Sequence, residues 1–207
     1  SGSTKSTPPL SQSFGFRKFV TIMQGCNNYC TYCVVPYTRG REVSRKVSDI
    51  MDEVKVLINS GVKEITLLGQ NVNSYGLDKG SEEISFPDLL ARIGEFGDKS
   101  GKDFWIYFTS PHPRDMTRDV IDVMAKHRVL AKQLHLPLQS GDDKILIKMN
   151  RKHGVSQYRT IVHYIRETLP EATLFTDIIV GFTGENDEHF ENTRKSMYEF
   201  QFNMAYI

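Results

Sequence analysis

GCNNYCTYCVVPYTRGRE, which runs from Gly25 to Glu42, is the stretch that decides the fold of this chain of 207 residues. It contains the three cysteines of the sequence, Cys26, Cys30 and Cys33, in the spacing C-x3-C-x2-C. Three thiolates in one short loop can bind a single inorganic centre, and three ligands leave one position of a four-coordinate site open. In an iron–sulfur cube, the open position belongs to an iron that can bind a small molecule. We therefore expect the three cysteines to be metal ligands and catalytic residues.

The same cysteines have other interpretations. A disulfide is disfavoured because the cysteine count is odd and the residues are too close in sequence to join distant segments. A structural zinc site of the Cys3His type stays open, with His112 or His135 as the fourth ligand, although no nearby histidine has zinc-finger spacing. Three buried thiols clustered by chance are the weakest alternative, because this spacing is typical of metal ligands.

Length and charge restrict the class of protein. Residues 1–13 are small, polar and proline-containing, which is typical of a disordered linker, and residues 14–207 suit one globular domain. The formal net charge of +1 is weak for a protein that binds nucleic acid by itself, so we expect any grip on RNA to need help from elsewhere. We expect a cytoplasmic monomer without membrane contact, because no apolar run is long enough for a membrane span, no signal peptide opens the sequence, and cysteines in ligand spacing need a reducing compartment.

Short β-branched runs and helical periods alternate along the chain. The pattern predicts six strands, at residues 16–25, 63–70, 104–110, 133–139, 173–182 and 202–207, in a domain whose apolar patterning begins at Phe14. Five helical segments separate them, the fourth in two parts, at residues 142–150 and 156–169. Ser48 and Ser85 are the expected N-caps of the first two helices, and Gly61 and Gly97 are their expected stops. The expected core faces of the first, second, third and fifth helices are Ile50, Val54, Leu57 and Ile58; Leu89, Leu90, Ile93 and Phe96; Val120, Ile121 and Met124; Phe190, Met197 and Phe200.

Strict alternation of strands and helices predicts an α/β fold with parallel strands joined by right-handed crossovers. Two arrangements satisfy it, a doubly wound sheet and a barrel or partial barrel. A dinucleotide-binding sheet would present G-x-G-x-x-G after its first strand, whereas this chain presents cysteines there.

The cysteine loop also resembles a known family. C-x3-C-x-aromatic-C, with Tyr32 as the aromatic residue, resembles the signature of the radical S-adenosylmethionine (radical SAM) enzymes. VVPYTRGRE after Cys33, followed by Ser44 and Arg45, is similar to the methylthiotransferase branch, and GQNVNSYG and FTSPHP favour the MiaB-type tRNA enzymes within it. The resemblance covers nearly all of residues 14–207, and it implies a (β/α)6 partial TIM barrel of the radical SAM type.

Polar residues follow each predicted strand, where parallel α/β folds gather their chemistry. The resemblance implies cofactor contacts from Gln70 and Asn71, which stand where many family members have a Gly-Gly-Glu motif, although both could instead be helix caps. Arg151 could pair with the carboxylate of the cofactor, or be a solvated cation at a helix end. Asp177, inside an apolar run, should point into the barrel mouth as a substrate or cofactor contact, with a structural ion pair as the alternative. The remaining candidate cofactor contacts are Tyr32, Ser110, Gln139, Ser140 and Gly181.

Two further groups of residues have no assigned role. His112 and His135 lie beside apolar strands, where a histidine is more often a satisfied core residue than a ligand. Arg39, Arg41, Arg45 and Lys46 form a basic run after the cysteine loop, which suits RNA phosphates or a solvated helix entrance equally well.

The resemblance implies a cofactor set and a reaction. The three cysteines would hold a [4Fe–4S] cluster whose fourth iron binds S-adenosylmethionine, and reductive cleavage would give methionine and a 5′-deoxyadenosyl radical. In the resembled enzymes the radical takes hydrogen from C2 of N6-isopentenyladenosine in tRNA, where a methylthio group is then installed. A reduced flavodoxin- or ferredoxin-type protein is the expected electron donor.

The sequence departs from the resembled enzymes in extent. They carry an N-terminal domain with three more cysteines for a second [4Fe–4S] cluster and a C-terminal RNA-binding TRAM domain, and this sequence contains neither. We therefore expect an excised radical SAM core, with the second cluster and the tRNA contact supplied only in the full-length protein. A sister methylthiotransferase acting on threonylcarbamoyl-adenosine in tRNA or on a ribosomal protein, and a non-catalytic metal-stabilised RNA-binding module, are the alternative functions.

Overall fold

Six parallel strands carry the fold in the computed structural model, which describes residues 15–207. In chain order they are β1 Arg17–Thr21, β4 Glu64–Leu68, β5 Trp105–Phe108, β6 Gln133–His135, β7 Thr173–Asp177 and β8 Met204–Tyr206. Each lies inside a predicted strand, so the six predicted strands are confirmed. The predicted linker, residues 1–13, and the predicted start of the domain at Phe14 lie outside the described residues.

The strands form two three-stranded blocks in the orders β1-β4-β5 and β6-β7-β8. The register places Leu67 of β4 opposite Val20 of β1 and Phe108 of β5. Ile106 of β5 joins the blocks, since its N–H donates to the Val129 carbonyl at 2.8 Å and its carbonyl accepts from the Ala131 N–H at 2.9 Å. Among the described strands, β1 and β8 do not pair, so the sheet is the predicted six-stranded partial barrel.

The first predicted strand, residues 16–25, is divided, which corrects that prediction. After β1, residues Met23–Gln24 form a separate strand, β2, that pairs antiparallel with β3, Val43–Ser44. At this point the pairing partner is therefore β3, in the segment that follows the cysteine loop, and not a strand of the barrel. Between β2 and β3 lies a helix that the sequence analysis did not predict, α1, Val35–Arg39.

Six further helices, all longer than α1, cover the strands. They are α2 Val47–Asn59, α3 Phe86–Ser100, α4 Arg118–Lys126, α5 Asp143–Lys148, α6 Val155–Thr168 and α7 Asp187–Phe200. Short 3-10 turns lie at Val72–Ser74, Leu77–Glu82 and Pro113–Asp115. The two-part fourth helical segment is confirmed as α5 and α6. None of the helices in residues 15–207 is long and apolar enough to cross a membrane.

The predicted helix ends are partly correct. Ser85 caps α3, and Gly61 follows α2 with a positive φ of +89°, as expected. Ser48 is not an N-cap, because α2 begins one residue earlier, at Val47. Gly97 does not stop α3, which continues to Ser100. A Cβ at Gly97 would lie 2.6 Å from Cγ2 of Val129, so this glycine serves close helix packing.

The core lies between the helices and the strands, as the apolar periodicity predicts. The predicted faces of α2 and α4 are buried, and in α3 Leu89, Leu90 and Ile93 are buried while Phe96 is partly exposed and packs against the core. Each fully buried aliphatic side chain contributes about 1.5–3 kcal/mol relative to an exposed one. In α7, Phe200 is buried and Met197 packs against the core, but Phe190 is 44% exposed, so its predicted core position is wrong.

Candidate active site

A cavity of about 190 Å³ opens where the strands end. The three cysteines line it together with residues that end or follow β4, β5, β6 and β7. The other lining residues are Asn28, Tyr32, Gln70, Ser110, Pro111, His112, His135, Pro137, Gln139, Arg151 and Asp177. The fold therefore brings residues from distant parts of the sequence around the cysteine loop.

The cysteine loop is held in a narrow backbone path at its start. Gly25 has a φ of +77°, and a Cβ there would lie 2.0 Å from the Arg41 carbonyl oxygen. The Gly25 N–H donates to Oε1 of Gln70 at 2.7 Å, and the Cys26 N–H donates to the Gly40 carbonyl at 3.1 Å. Gln70, an expected cofactor contact, thus also supports the loop through its side-chain oxygen.

A buried carboxylate fixes the middle of the loop. Glu42 accepts from the backbone N–H of Asn27 at 3.2 Å and from its side-chain amide at 3.3 Å. The same carboxylate accepts from Nδ2 of Asn71 at 3.3 Å, and Asn71 also donates to Asp115 at 2.9 Å. Asn71 is fully buried and does not line the cavity, and its hydrogen bonds place it against the cysteine loop.

The C-terminal end of α5 holds the far side of the loop. Nδ2 of Asn150 donates to the Tyr29 carbonyl at 2.8 Å, and the Thr31 N–H donates to the Met149 carbonyl at 3.1 Å. Asn150 has a φ of +55°, which ends the helix and turns the chain toward the cavity. No local pattern in the sequence indicated this contact, because its two sides are more than a hundred residues apart.

The cysteines differ in their surroundings. Cys26 and Cys30 are buried, and Cys33 is partly exposed. Burial raises the pKa of the Cys26 thiol, against the opposing effect of a hydrogen bond from the Asn28 backbone. The guanidinium of Arg151 lies within hydrogen-bond reach of Cys30, with Nη1 3.5 Å from Sγ.

Asp177 and His135 form a pair at the opposite wall. Oδ1 of Asp177 is 2.8 Å from Nε2 of His135, and both side chains are about one-third exposed in the cavity mouth. Asp177 therefore lies in the barrel mouth with His135 as its hydrogen-bond partner. Through His135 this cavity adjoins a second one of about 320 Å³ inside the barrel, lined in part by Phe19, Tyr107 and Tyr206.

His112 is a buried residue that also lines the cavity. Its Nδ1 accepts from the Arg114 N–H at 3.1 Å, which in a neutral ring puts the proton on Nε2. Burial, with the nearby Arg151 charge, lowers the pKa of His112 to about 2. A second buried histidine, His153, packs edge-on against it at 5.5 Å between ring centroids.

Two predicted contacts lie away from the cavity. Ser140 is fully buried, where its hydroxyl is 3.3 Å from that of Thr193 and accepts from the Asp142 N–H at 3.2 Å. Gly181 is exposed, and its N–H donates to the carboxylate of Glu185. The cavity residues to which the sequence analysis gave no role also include Asn28, Pro111 and Pro137, of which Asn28 lies between Cys26 and Cys30 in the sequence.

The basic run divides into two parts. Arg45 donates to the Thr21 carbonyl and forms an ion pair with Glu53 at 2.8 Å, so it supports the fold. Arg39, Arg41 and Lys46 are exposed. Only these three remain candidates for a phosphate contact.

A family model described as the radical SAM superfamily matches residues 20–197. The chain belongs to the radical SAM superfamily. The predicted family and its α/β fold are therefore confirmed.

Curated relatives of this radical SAM chain include proteins named tRNA-2-methylthio-N(6)-dimethylallyladenosine synthase. The protein of Treponema denticola is 47% identical over 201 residues, covering 96% of this chain and 45% of the relative. That of Clostridium botulinum (strain Eklund 17B) is 51% identical over 199 residues, covering 96% of this chain and 42% of the relative. The chain thus spans less than half the length of these relatives.

Solved structures share the fold at low sequence identity. The radical S-adenosylmethionine methyltransferase TsrM from Kitasatospora setae superposes with a TM-score of 0.72 at 15% identity, covering 92% of this chain and 35% of that protein. Coproporphyrinogen III oxidase (HemN) from Escherichia coli, a radical SAM enzyme, gives a TM-score of 0.61 at 15% identity, covering 92% of this chain and 44% of that protein.

The donor set of the radical SAM cavity fits an iron–sulfur cluster. Three thiols from one loop surround the space, and a cationic side chain stands beside one of them. Iron–sulfur clusters are held by cysteine thiolates, and hydrogen bonds to their sulfurs are a usual feature of such sites. Within residues 15–207, no three His, Cys, Asp or Glu side chains are grouped as ligands of a single metal ion.

Proposed function

We propose that this chain is the radical SAM core of a tRNA methylthiotransferase that modifies C2 of N6-isopentenyladenosine. The observation that carries the proposal is the convergence of Cys26, Cys30 and Cys33 on one cavity at the strand ends. The name of the curated relatives supports this choice of substrate. Because these relatives are more than twice as long as this chain, we assign the full reaction to a longer protein.

The cysteines would hold a [4Fe–4S] cluster and leave its fourth iron free. When bound, the cluster supplies the electron that cleaves S-adenosylmethionine. The part of the chain is to position the cofactor and to exclude water from it. The lining residues that we assign to cofactor contact are Tyr32, Gln70, Ser110, Gln139, Arg151 and Asp177.

The second cavity, inside the barrel, gives the cofactor room beyond the cysteine loop. Its walls combine aromatic side chains with His135 and with the ion pair of Arg17 and Glu64. Sites for small molecules commonly combine apolar walls with a few polar groups that fix orientation. We assign the adenosyl portion of S-adenosylmethionine to this space.

Partners follow from the proposed reaction. tRNA would be bound through the longer protein, with a second [4Fe–4S] cluster there, and a reduced flavodoxin- or ferredoxin-type protein would deliver electrons. The exposed Arg39, Arg41 and Lys46 would assist the tRNA contact. We expect this chain to act as a monomer in the cytoplasm, where thiols remain reduced.

The direct test is anaerobic reconstitution of the chain with iron and sulfide. After addition of dithionite and S-adenosylmethionine, we expect 5′-deoxyadenosine to form. Cys30→Ala should abolish it, whereas Ser100→Ala, a change on the outer helix α3, should not. Tight binding of one zinc ion with no 5′-deoxyadenosine would overturn the proposal.

The substrate is tested in the longer protein. A strain lacking it should lose 2-methylthio-N6-isopentenyladenosine from its tRNA, as measured by mass spectrometry of nucleosides. Loss of a methylthiolated threonylcarbamoyl-adenosine instead, or of a modification on a ribosomal protein, would reassign the enzyme to a sister branch.

A further inference from the structure

Arg151 occupies an unusual place in the cavity, because its side chain contacts a ligand cysteine directly. Its Nη1 is 3.5 Å from Sγ of Cys30 and 3.5 Å from the hydroxyl of Tyr32, while its Nη2 donates to the Pro137 carbonyl at 3.1 Å. Both terminal nitrogens of the guanidinium therefore have protein partners, whereas its buried Nε–H has none among the described residues.

The backbone of Arg151 is fixed as firmly as its side chain. Its N–H donates to the Leu146 carbonyl at 2.9 Å, at the end of α5. The same helix end holds the cysteine loop through Asn150 and Met149. The guanidinium and the Cys30 sulfur are thus carried by two segments that bind each other, so their separation is set by the fold.

The charge of Arg151 has few competitors around the cavity. Among the described lining residues, Arg151 is the one Lys or Arg side chain, and Asp177, the one carboxylate, is paired with His135. A cluster held by three thiolates gains negative charge when it is reduced. A nearby cation and an N–H···S hydrogen bond stabilise that added charge, and both raise the reduction potential of an iron–sulfur cluster.

We propose that Arg151 is a positioning residue that raises the reduction potential of the cluster by donating a hydrogen bond to the Cys30 sulfur. Tyr32 and Pro137 orient the guanidinium for this contact. The proposal rests on the proposed function, since it needs the cluster that the three cysteines would hold. It gives Arg151 a role in the first electron transfer that is separate from the cofactor contact that its remaining N–H groups can make.

The test is a redox titration of the reconstituted chain without S-adenosylmethionine, followed by the electron paramagnetic resonance signal of the reduced cluster. Arg151→Met removes the charge and the donor at similar length, and we expect the reduction equilibrium to shift at least tenfold toward the oxidised cluster, about 59 mV for a one-electron couple. Arg151→Lys keeps the charge and should shift the reduction equilibrium less than Arg151→Met does. This variant still tests the proposal if Arg151→Met folds poorly.

Arg166 provides the matched control, because it is also anchored on backbone carbonyls but away from the cavity. It donates to Ala172 and Gln201, at 3.0 Å in each case. Arg166→Met should lower stability and leave the potential unchanged. If Arg151→Met assembles the cluster and its reduction equilibrium stays within twofold of that of the wild type, the inference is overturned. If the wild-type chain assembles no [4Fe–4S] cluster, the proposed function itself fails.

Discussion

Gly25 opens the cysteine loop at a position where only glycine fits. Its φ of +77° is in the left-handed region, and a Cβ would lie 2.0 Å from the backbone oxygen of Arg41. Positive φ costs a side chain conformational energy, and a clash with backbone cannot be relieved by a change of rotamer. The backbone path of the loop that presents Cys26 therefore requires glycine at position 25.

Gly25→Ala should lower the free energy of unfolding by more than about 2 kcal/mol, because strain and clash add. We also expect the reconstituted variant to bind less iron, since the displaced loop carries the ligands. Urea unfolding and iron analysis measure the two effects. Gly101→Ala is the control, because Gly101 has a φ of +62° with no atom within 4 Å of the added carbon. An equal loss in both variants would show that the clash at Gly25 is relaxed.

At the scale of elements, the turn from β6 to α5 contains two adjacent residues with different tasks. Gln139 lines the cavity, whereas Ser140 turns inward to the Thr193 hydroxyl of α7 at 3.3 Å. Thr193 also accepts from the Gly141 N–H at 3.0 Å. The turn is thus fastened to the last helix on one side and faces the cavity on the other.

This division predicts opposite phenotypes for neighbouring substitutions. Ser140→Ala should lower the free energy of unfolding by about 1 kcal/mol, the value of one buried hydrogen bond, and leave the affinity for S-adenosylmethionine unchanged. Gln139→Ala should weaken that affinity with little change in stability. Equilibrium binding to the reconstituted chain and urea unfolding separate the two. Weaker binding in Ser140→Ala with unchanged stability would restore its assignment as a cofactor contact.

The range of a contact decides how well it can be predicted from the sequence. The strands and most helical faces follow from local periodicity, and the grouping of the three cysteines at one cavity follows from their spacing within one loop. The predicted stop at Gly97 is wrong, and Asn71 and Ser140 lie away from the cavity. Each of the three meets a partner far along the chain, and a local pattern cannot distinguish a stop, a cap or a cofactor contact from such packing. The hold of Asn150 on Tyr29, across 121 residues, had no local signal at all.

At the scale of the whole molecule, two buried histidines make the fold sensitive to acid. Burial, with the Arg151 charge, lowers the pKa of His112 to about 2 and that of His153 to about 3. In the unfolded chain a histidine has a pKa of about 6.5, so below that pH the unfolded state binds a proton that the folded state does not bind. The resulting stability is fully present above about pH 7, and it is lost as the pH falls below about 6.5.

His153→Phe isolates one of these contributions. Neither ring nitrogen of His153 makes a hydrogen bond of normal geometry in the described structure, although the backbone of Leu138 lies close enough to raise its pKa slightly against the effect of burial. The residue does not line the cavity, so phenylalanine removes little besides the titrating group. When the pH falls from about 7 to about 5, each histidine that the folded state keeps neutral lowers the free energy of unfolding by about 2 kcal/mol. The variant should therefore lose about 2 kcal/mol less than wild type on acidification, measured by urea unfolding at both pH values. His163→Phe, on the exposed side of α6, should behave as wild type. If His153→Phe loses as much stability as wild type, the folded chain accepts a proton at His153, and the acid sensitivity has another source.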